Sequence, residues 1–513
     1  MSPDPMSFVS LLDPFAEGPP PSGADDPDCF GDLHLDAVVD GLVAGREGYE
    51  LRGWFQQPPT DEATLRYRHA VMADLQRPEV AGSVRSFSRA MRGVREDLAR
   101  SRSIRHRPQS RRFALDALSG YAEAVVGFSE RLAGAELRSE GLSGFAGHLA
   151  AYVADPGFVA MTAEADRLEG QIGAIRYRLT LQGNKIRVER DEDRADYAAE
   201  VAACFERFRV GEVTRRHPSY AGRNELDHVQ AQVLDAVCRL FPEVFGDLDR
   251  LAERYEDFVA APVSRFEREV QVYLCYLERM EALGAHGLAF CFPELVDEGG
   301  EEHATDTFDL ALALGGREEA IVVNSFRLSG PERILVVSGP NQGGKTTFAR
   351  TFGQLHHLAS IGLPVPGTSV QLVRSDAVYS HFEREELMVD LRGKLQDDLE
   401  RAHAILDAAT ARSALVLNEL FASTTLDDAR LLGRRILAQV GQLGAVAVYV
   451  TFVEELATLD ERTVSMVAGV DPTEPSRRTF RIERRAPDGR AYAQSIAERY
   501  GLGYDTLRAR LRA

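Results

Sequence analysis

One stretch constrains the fold more than any other. Ile334-Leu335-Val336-Val337 is a short, wholly apolar run. It leads into Gly339-Pro340-Asn341-Gln342-Gly343-Gly344-Lys345-Thr346, and a helical pattern follows from Thr346 to Ile361. The spacing G-x4-G-K-T between a buried strand and a helix is a P-loop. Its glycines let backbone N–H groups turn inward around phosphate oxygens, and the helix N-terminus adds the positive end of its dipole. Lys345 is placed to reach the β- and γ-phosphates, and the Thr346 hydroxyl to ligate Mg²⁺. The sequence therefore predicts binding of ATP with Mg²⁺ along Gly339 to Thr347.

The texture around this loop fits. From about residue 305, short β-rich runs (308–314, 321–323, 334–337, 414–417, 446–450 and 479–482) alternate with helical segments (346–361, 397–411 and 427–443), which predicts an α/β layered domain with a largely parallel sheet. Residues 30 to roughly 290 instead show helical periodicity, for example over 62–75, 84–100, 113–132, 142–153, 224–240 and 263–283. The exception is 175–190, where apolar and polar residues alternate on both sides of Gln182-Gly183-Asn184, a β-hairpin pattern. The expected division is a Pro/Gly/Asp-rich disordered tail over 1–28, an elongated, mostly α-helical domain over 29–300 carrying the hairpin, and an α/β P-loop ATPase domain over 301–513.

Charge is spread unevenly. The chain has 513 residues and a formal net charge of −19. Residues 331–513 balance, with 23 basic and 23 acidic side chains, so residues 1–330 carry the whole excess. An acidic region repels nucleic acid as a bulk field, so any DNA contact must come from local basic patches. Two exist: an arginine-rich run over 84–112, and Arg176, Arg178, Lys185, Arg187 and Arg190 on the hairpin. Two readings stay open for each, a solvated face paired with acids or a phosphate contact. The five cysteines are scattered and read as thiols of a reducing, cytoplasmic compartment. No apolar run is long enough for a membrane span.

Lysine is rare: only Lys185, Lys345 and Lys394 occur. Arginine cannot replace lysine where a compact ammonium sits among phosphates, which draws attention to all three. A second apolar strand, Ala414 to Leu417, ends in Asn418-Glu419. A carboxylate there can orient an attacking water, and Asn418 with Glu419 and Thr346 forms the candidate metal set.

The head resembles the MutS family. Gly339 to Thr347 is similar to the family loop GPNMGGKST. Asn324 to Leu328 resembles N-D-x-x-L on the base side of the nucleotide, Leu363 to Pro366 resembles G-x-x-V-P, and Ala408 to Glu419 resembles A-T-x-x-S-L-V-L-L-D-E. Ser423, Thr424 and Asp427 resemble the T-S-T-x-D loop, and Arg68 to Leu75 resembles the family R-x-x-V-x-x-L. The resemblance implies an ABC-type ATPase head, dimerisation through the heads, DNA as partner and DNA repair as context. It also implies departures. The mismatch-reading N-terminal domain has no room, the clamp is missing or reduced to the hairpin, the metal-holding Asp is Asn418, the signature S-T-F aligns with Gly393-Lys394-Leu395, and the γ-phosphate-sensing T-H aligns with Thr451-Phe452. Lys394 is then expected to enter a partner subunit's site and act on the γ-phosphate, the alternative being a solvated loop lysine. A weakly hydrolysing, ATP-switched scaffold that docks a protein or ribonucleoprotein is the competing function.

Overall fold

A computed structural model describes residues 8–15, 26–59, 61–183, 185–191, 226–316, 321–383, 394–471, 473 and 477–487. Helices are α1 Cys29–Leu33, α2 Leu35–Val43, α3 Arg52–Gln56, α4 Glu62–Leu75, α5 Pro78–Ser103, α6 Arg107–Ala133, α7 Glu140–Val153, α8 Pro156–Gly173, α9 His228–Leu240, α10 Pro242–Arg254, α11 Ala261–Gly284, α12 Leu310–Leu314, α13 Lys345–Ser360, α14 Lys394–Ala408 and α15 Leu426–Leu443. Strands are β1 Tyr177–Gln182, β2 Lys185–Arg190, β3 Phe290–Cys291, β4 Glu294–Val296, β5 Glu302–Thr307, β6 Asn324–Leu328, β7 Ile334–Ser338, β8 Val365–Pro366, β9 Ser369–Val373, β10 Val378–His381, β11 Ala414–Asn418, β12 Val446–Val450, β13 Thr463–Val470 and β14 Arg478–Arg484.

The chain forms two compact units. One comprises residues 1–8, 77–137 and 142–267; the other comprises 9–76, 138–141 and 268–513. In the first unit, the long helix α5 begins at Pro78 and α6 carries Pro108 in its first turn, where a fixed φ and a missing N–H cost little. Their apolar stripes meet in a ring cluster. Phe87 stacks on Phe128 at 4.3 Å and Phe145 on Phe266 at 3.7 Å between centroids. Strands β1 and β2 pair antiparallel, with Leu179 opposite Val188 and Leu181 opposite Ile186.

In the second unit a six-stranded sheet runs β10-β11-β12-β7-β13-β14, parallel throughout except for β13 with β14. All five residues of β7, β11 and β12 are buried, as expected of parallel strands covered on both faces. A second sheet runs β4-β9-β5-β6. The short N-terminal helices dock on this unit through specific bonds to the P-loop helix. Gln354 donates to the Leu33 carbonyl at 2.9 Å, and His357 Nε2 lies 2.7 Å from the Phe55 carbonyl.

Three local expectations need correction. The run 308–314 reads as a strand by alternation, but Asp309 caps a helix there, its side chain accepting from the Leu312 N–H at 3.1 Å. Residues 321–323 lie outside the sheet, which starts at Asn324. Residues 8–15, assigned by composition to a disordered tail, include the fully buried Leu11 and Leu12; two leucines and a set of side-chain partners order them. Residues 1–7 and 16–25 lie outside the described residues. No helix among the described residues is long and apolar enough to cross a membrane.

Candidate nucleotide site

Strand β7 sits between β12 and β13, so the loop after it emerges at the C-terminal edge of the parallel strands, where crevices form in open α/β sheets. The loop's shape depends on glycine at two positions. Gly339 has φ +113°, and a Cβ there would lie 3.0 Å from the Ala468 nitrogen; Gly344, at φ +90°, forms the N-cap of α13. The loop frames a cavity of about 560 Å³. Asn341, Gln342, Gly343, Gly344, Lys345, Thr346 and Thr347 line it, with Asn324, Glu419 and Phe480 opposite.

Lys345 is 5 % exposed, and its Nζ lies back along its own loop, donating to the Gly339 carbonyl at 3.0 Å and to Asn341 Oδ1 at 3.2 Å. Glu419 Oε1 is 4.0 Å away. Burial pushes the Lys345 ammonium below its ordinary pKa, Glu419 pulls it back up, and Arg478 pushes it further down. A buried cation held by neutral carbonyls and one carboxylate suits an incoming anion, which would raise that pKa again.

Glu419 follows β11 directly. Its N–H donates to the Val450 carbonyl at 3.0 Å, and its φ of +53° is a left-handed conformation that a non-glycine residue adopts at a cost of about 1–3 kcal/mol. That conformation turns the carboxylate toward the cavity. Asn418 is 7 % exposed, and its Oδ1 is buried with no hydrogen-bond partner among the described residues. An orphaned, buried carbonyl oxygen next to Glu419 in sequence is the kind of donor that a hard cation would take. The chemistry of these donors suits a magnesium ion, which Thr346, Asn418 and Glu419 could hold.

Asn324 is placed at the cavity, but its amide is occupied. Oδ1 accepts from the Ile482 N–H at 2.7 Å, and Nδ2 donates to the Phe480 carbonyl at 3.1 Å. It fastens β14 to β6. Two residues on β14 were missed by sequence reasoning. Phe480, at φ +57° and 49 % exposed, forms a cavity wall beside Gly344; Arg478 Nε donates to the Asn341 carbonyl at 3.2 Å. The available signal was a lone aromatic in the basic strand Arg477-Arg478-Thr479-Phe480-Arg481, which alone does not say where the strand goes.

Lys394 starts α14. Its Nζ lies 3.1 Å from Glu383 Oε1, and it lines a small cavity with Glu419, Ala422 and Ser423 of the same chain. Gly393 lies outside the described residues. Phe452 is 46 % exposed, while Thr451 is buried and accepts from the Val453 N–H at 3.0 Å.

Most of the hairpin's basic residues have partners close by. Arg176 donates to the Gly173 carbonyl at 2.7 Å, Arg178 pairs with Asp191 at 2.8 Å, and Arg187 pairs with Glu189 at 3.3 Å. Arg190 donates to the Leu240 carbonyl at 2.9 Å and lies over the Phe241 ring; Lys185 is exposed beside the turn. In the arginine-rich run, Arg95 pairs with Glu267, Arg107 with Asp249 and Glu253, and Arg112 with Asp116.

Residues 335–493 match the family model MutS domain V. Among curated proteins, an Endonuclease MutS2 of Thermus thermophilus is 29% identical over 192 residues, 36% of this chain and 25% of the relative. A DNA mismatch repair protein MSH3 of Phaeosphaeria nodorum is 32% identical over 146 residues, 28% of this chain and 13% of the relative. A DNA mismatch repair protein MutS of Chlorobium phaeovibrioides is 22% identical over 463 residues, 84% of this chain and 52% of the relative. The chain thus spans about half the length of that MutS, and a quarter or less of the other two.

Proposed function

The chain belongs to the MutS family, and from that premise we propose that it binds and slowly hydrolyses ATP, with ATP-driven dimerisation of the heads coupled to DNA binding in repair or recombination. The observation that carries the proposal is that the loop residues, Lys345 and Glu419 line one cavity.

In this reading the loop from Gly339 to Thr347 wraps the phosphates. Lys345 leaves its own carbonyls for the β- and γ-phosphate oxygens, a charge-assisted exchange. Glu419 orients the attacking water and accepts its proton. Thr346, Asn418 and Glu419 would hold magnesium, which would supply charge that neutralises the phosphates. Asn418 brings an oxygen but no charge, so turnover is slow. Phe480 and the apolar wall of Ile321 and Val322 receive the base side. Lys394 gives up Glu383 when heads dimerise and adds charge at the γ-phosphate of the partner's nucleotide. DNA enters as the partner because two of the relatives are named DNA mismatch repair proteins; Lys185 and Arg187 near the hairpin turn are the first residues to examine.

The test is steady-state ATPase activity with mismatched, branched and single-stranded DNA, alongside DNA binding across a salt series. Glu419→Gln should bind ATP and lose turnover. Lys394→Ala should lower the rate and the ATP-dependent dimer. DNA affinity should fall steeply with salt. A chain that binds none of these DNAs at low salt is not a DNA-directed ATPase.

A further inference from the structure

Residues 8–15 contain neither helix nor strand, yet Ser10, Leu11 and Leu12 are buried. Buried main-chain groups outside secondary structure need other partners. Here side chains supply them. The Glu269 carboxylate accepts from the Leu11 N–H at 2.6 Å and from the Ser10 hydroxyl at 2.9 Å. The Tyr67 hydroxyl donates to the Ser10 carbonyl at 2.6 Å, and the Tyr273 hydroxyl to the Leu11 carbonyl at 2.8 Å. Arg68 Nε donates to the Leu12 carbonyl at 2.7 Å. The Ser10 hydroxyl itself accepts from the Leu12 and Asp13 N–H groups at 3.0 and 3.1 Å.

Four side chains from α4 and α11 thus hold three successive residues by their main chain, and the side chains of the two leucines are buried. This is the chemistry of a peptide groove: main-chain bonds give affinity, and side-chain pockets give specificity. We propose that Tyr67, Arg68, Glu269 and Tyr273 form a peptide-binding site, filled here by the chain's own Ser10-Leu11-Leu12, that takes the same segment in trans.

Occupancy is felt at the P-loop helix. Arg68 is 5 % exposed, and its Nη1 donates to the Ile361 carbonyl, just past the end of α13, at 2.7 Å. The same guanidinium binds Leu12, so emptying the groove leaves a buried donor short of an acceptor and loosens that end of the helix.

The test uses the full chain carrying Leu11→Asp with Leu12→Asp. Burying two carboxylates expels the segment. A labelled synthetic peptide of residues 8–15 should then bind saturably. Amide exchange at Ile361 to Leu363, faster in the variant, should return toward the wild-type rate on peptide addition. Adding Glu269→Gln should weaken the peptide by about tenfold, the loss of one charge-assisted acceptor. A folded variant that binds no peptide overturns the proposal. So does an unfolded variant that the peptide fails to restore, because the segment is then an inseparable part of the core; restoration supports the groove.

Discussion

The P-loop cavity and the β1–β2 hairpin both gather basic side chains, and the structure treats them differently. At the cavity, Lys345 rests against loop carbonyls and Asn341, and among the described residues the carboxylate near it is Glu419, at 4.0 Å. These neutral partners are weak competitors for an anion. At the hairpin, Arg178 and Arg187 already have carboxylates, and Arg176 and Arg190 cap carbonyls of their own unit. The opposite face of the hairpin is apolar and exposed, with Leu181 at 75 %. A count of positive charges favours the hairpin. What the charges are bound to favours the cavity.

The largest expected effect tests that contrast at its strong end. Lys345→Ala should weaken ATP binding on the order of 100-fold, about 3 kcal/mol, for loss of charge-assisted bonds in a buried setting. Fluorescent-nucleotide titration measures it, and near-wild-type affinity would break the comparison outright. Next is Asn418→Asp. It restores a carboxylate where a buried oxygen now lacks a partner among the described residues. Turnover at limiting magnesium should rise about tenfold, read from a Mg²⁺ titration of ATPase rate. No change would mean that Asn418 does not serve the metal. Phe480→Ala comes third. It should cost ATP about fivefold, the scale of one aromatic contact, and leave inorganic triphosphate affinity unchanged. Equal losses for both ligands would place Phe480 on the phosphate side.

Legibility follows sequence distance. The strand–loop–helix from Ile334 to Ser360 is continuous, so its glycines, lysine and threonine state its function locally. Glu419 could be read from the end of an apolar strand. Arg478 and Phe480 could not, because they reach the loop only when β14 pairs with β13 at the sheet edge. Asn324 could be singled out from its resemblance to the family's N-D-x-x-L element, but its bonds to Phe480 and Ile482, which hold that strand, arise from residues more than 150 positions away. The run 308–314 misleads because alternation is identical in a short strand and a short capped helix until Asp309 finds the Leu312 amide. The segment Ser10 to Leu12 looks like tail in composition, and the side chains that bind its backbone lie on α4 and α11, too distant for any local pattern to reveal.

The smallest expected effect separates residues within the hairpin itself. Lys185→Ala removes an exposed charge close to the turn; if the hairpin touches DNA, affinity should fall about twofold and the salt slope by about 1, one phosphate per charge at most. Arg190→Ala should behave otherwise. Its guanidinium is spent on the Leu240 carbonyl and the Phe241 ring, 4.7 Å away, so its loss should lower the melting temperature of the helical unit and leave the salt slope alone. Binding isotherms across a salt series, with thermal melts of the same variants, distinguish the two behaviours. A salt slope lowered by Arg190→Ala as much as by Lys185→Ala would show that carbonyl-capped arginines are still available to phosphate. The contrast between committed and uncommitted charge would then fail at the place where it predicts the least.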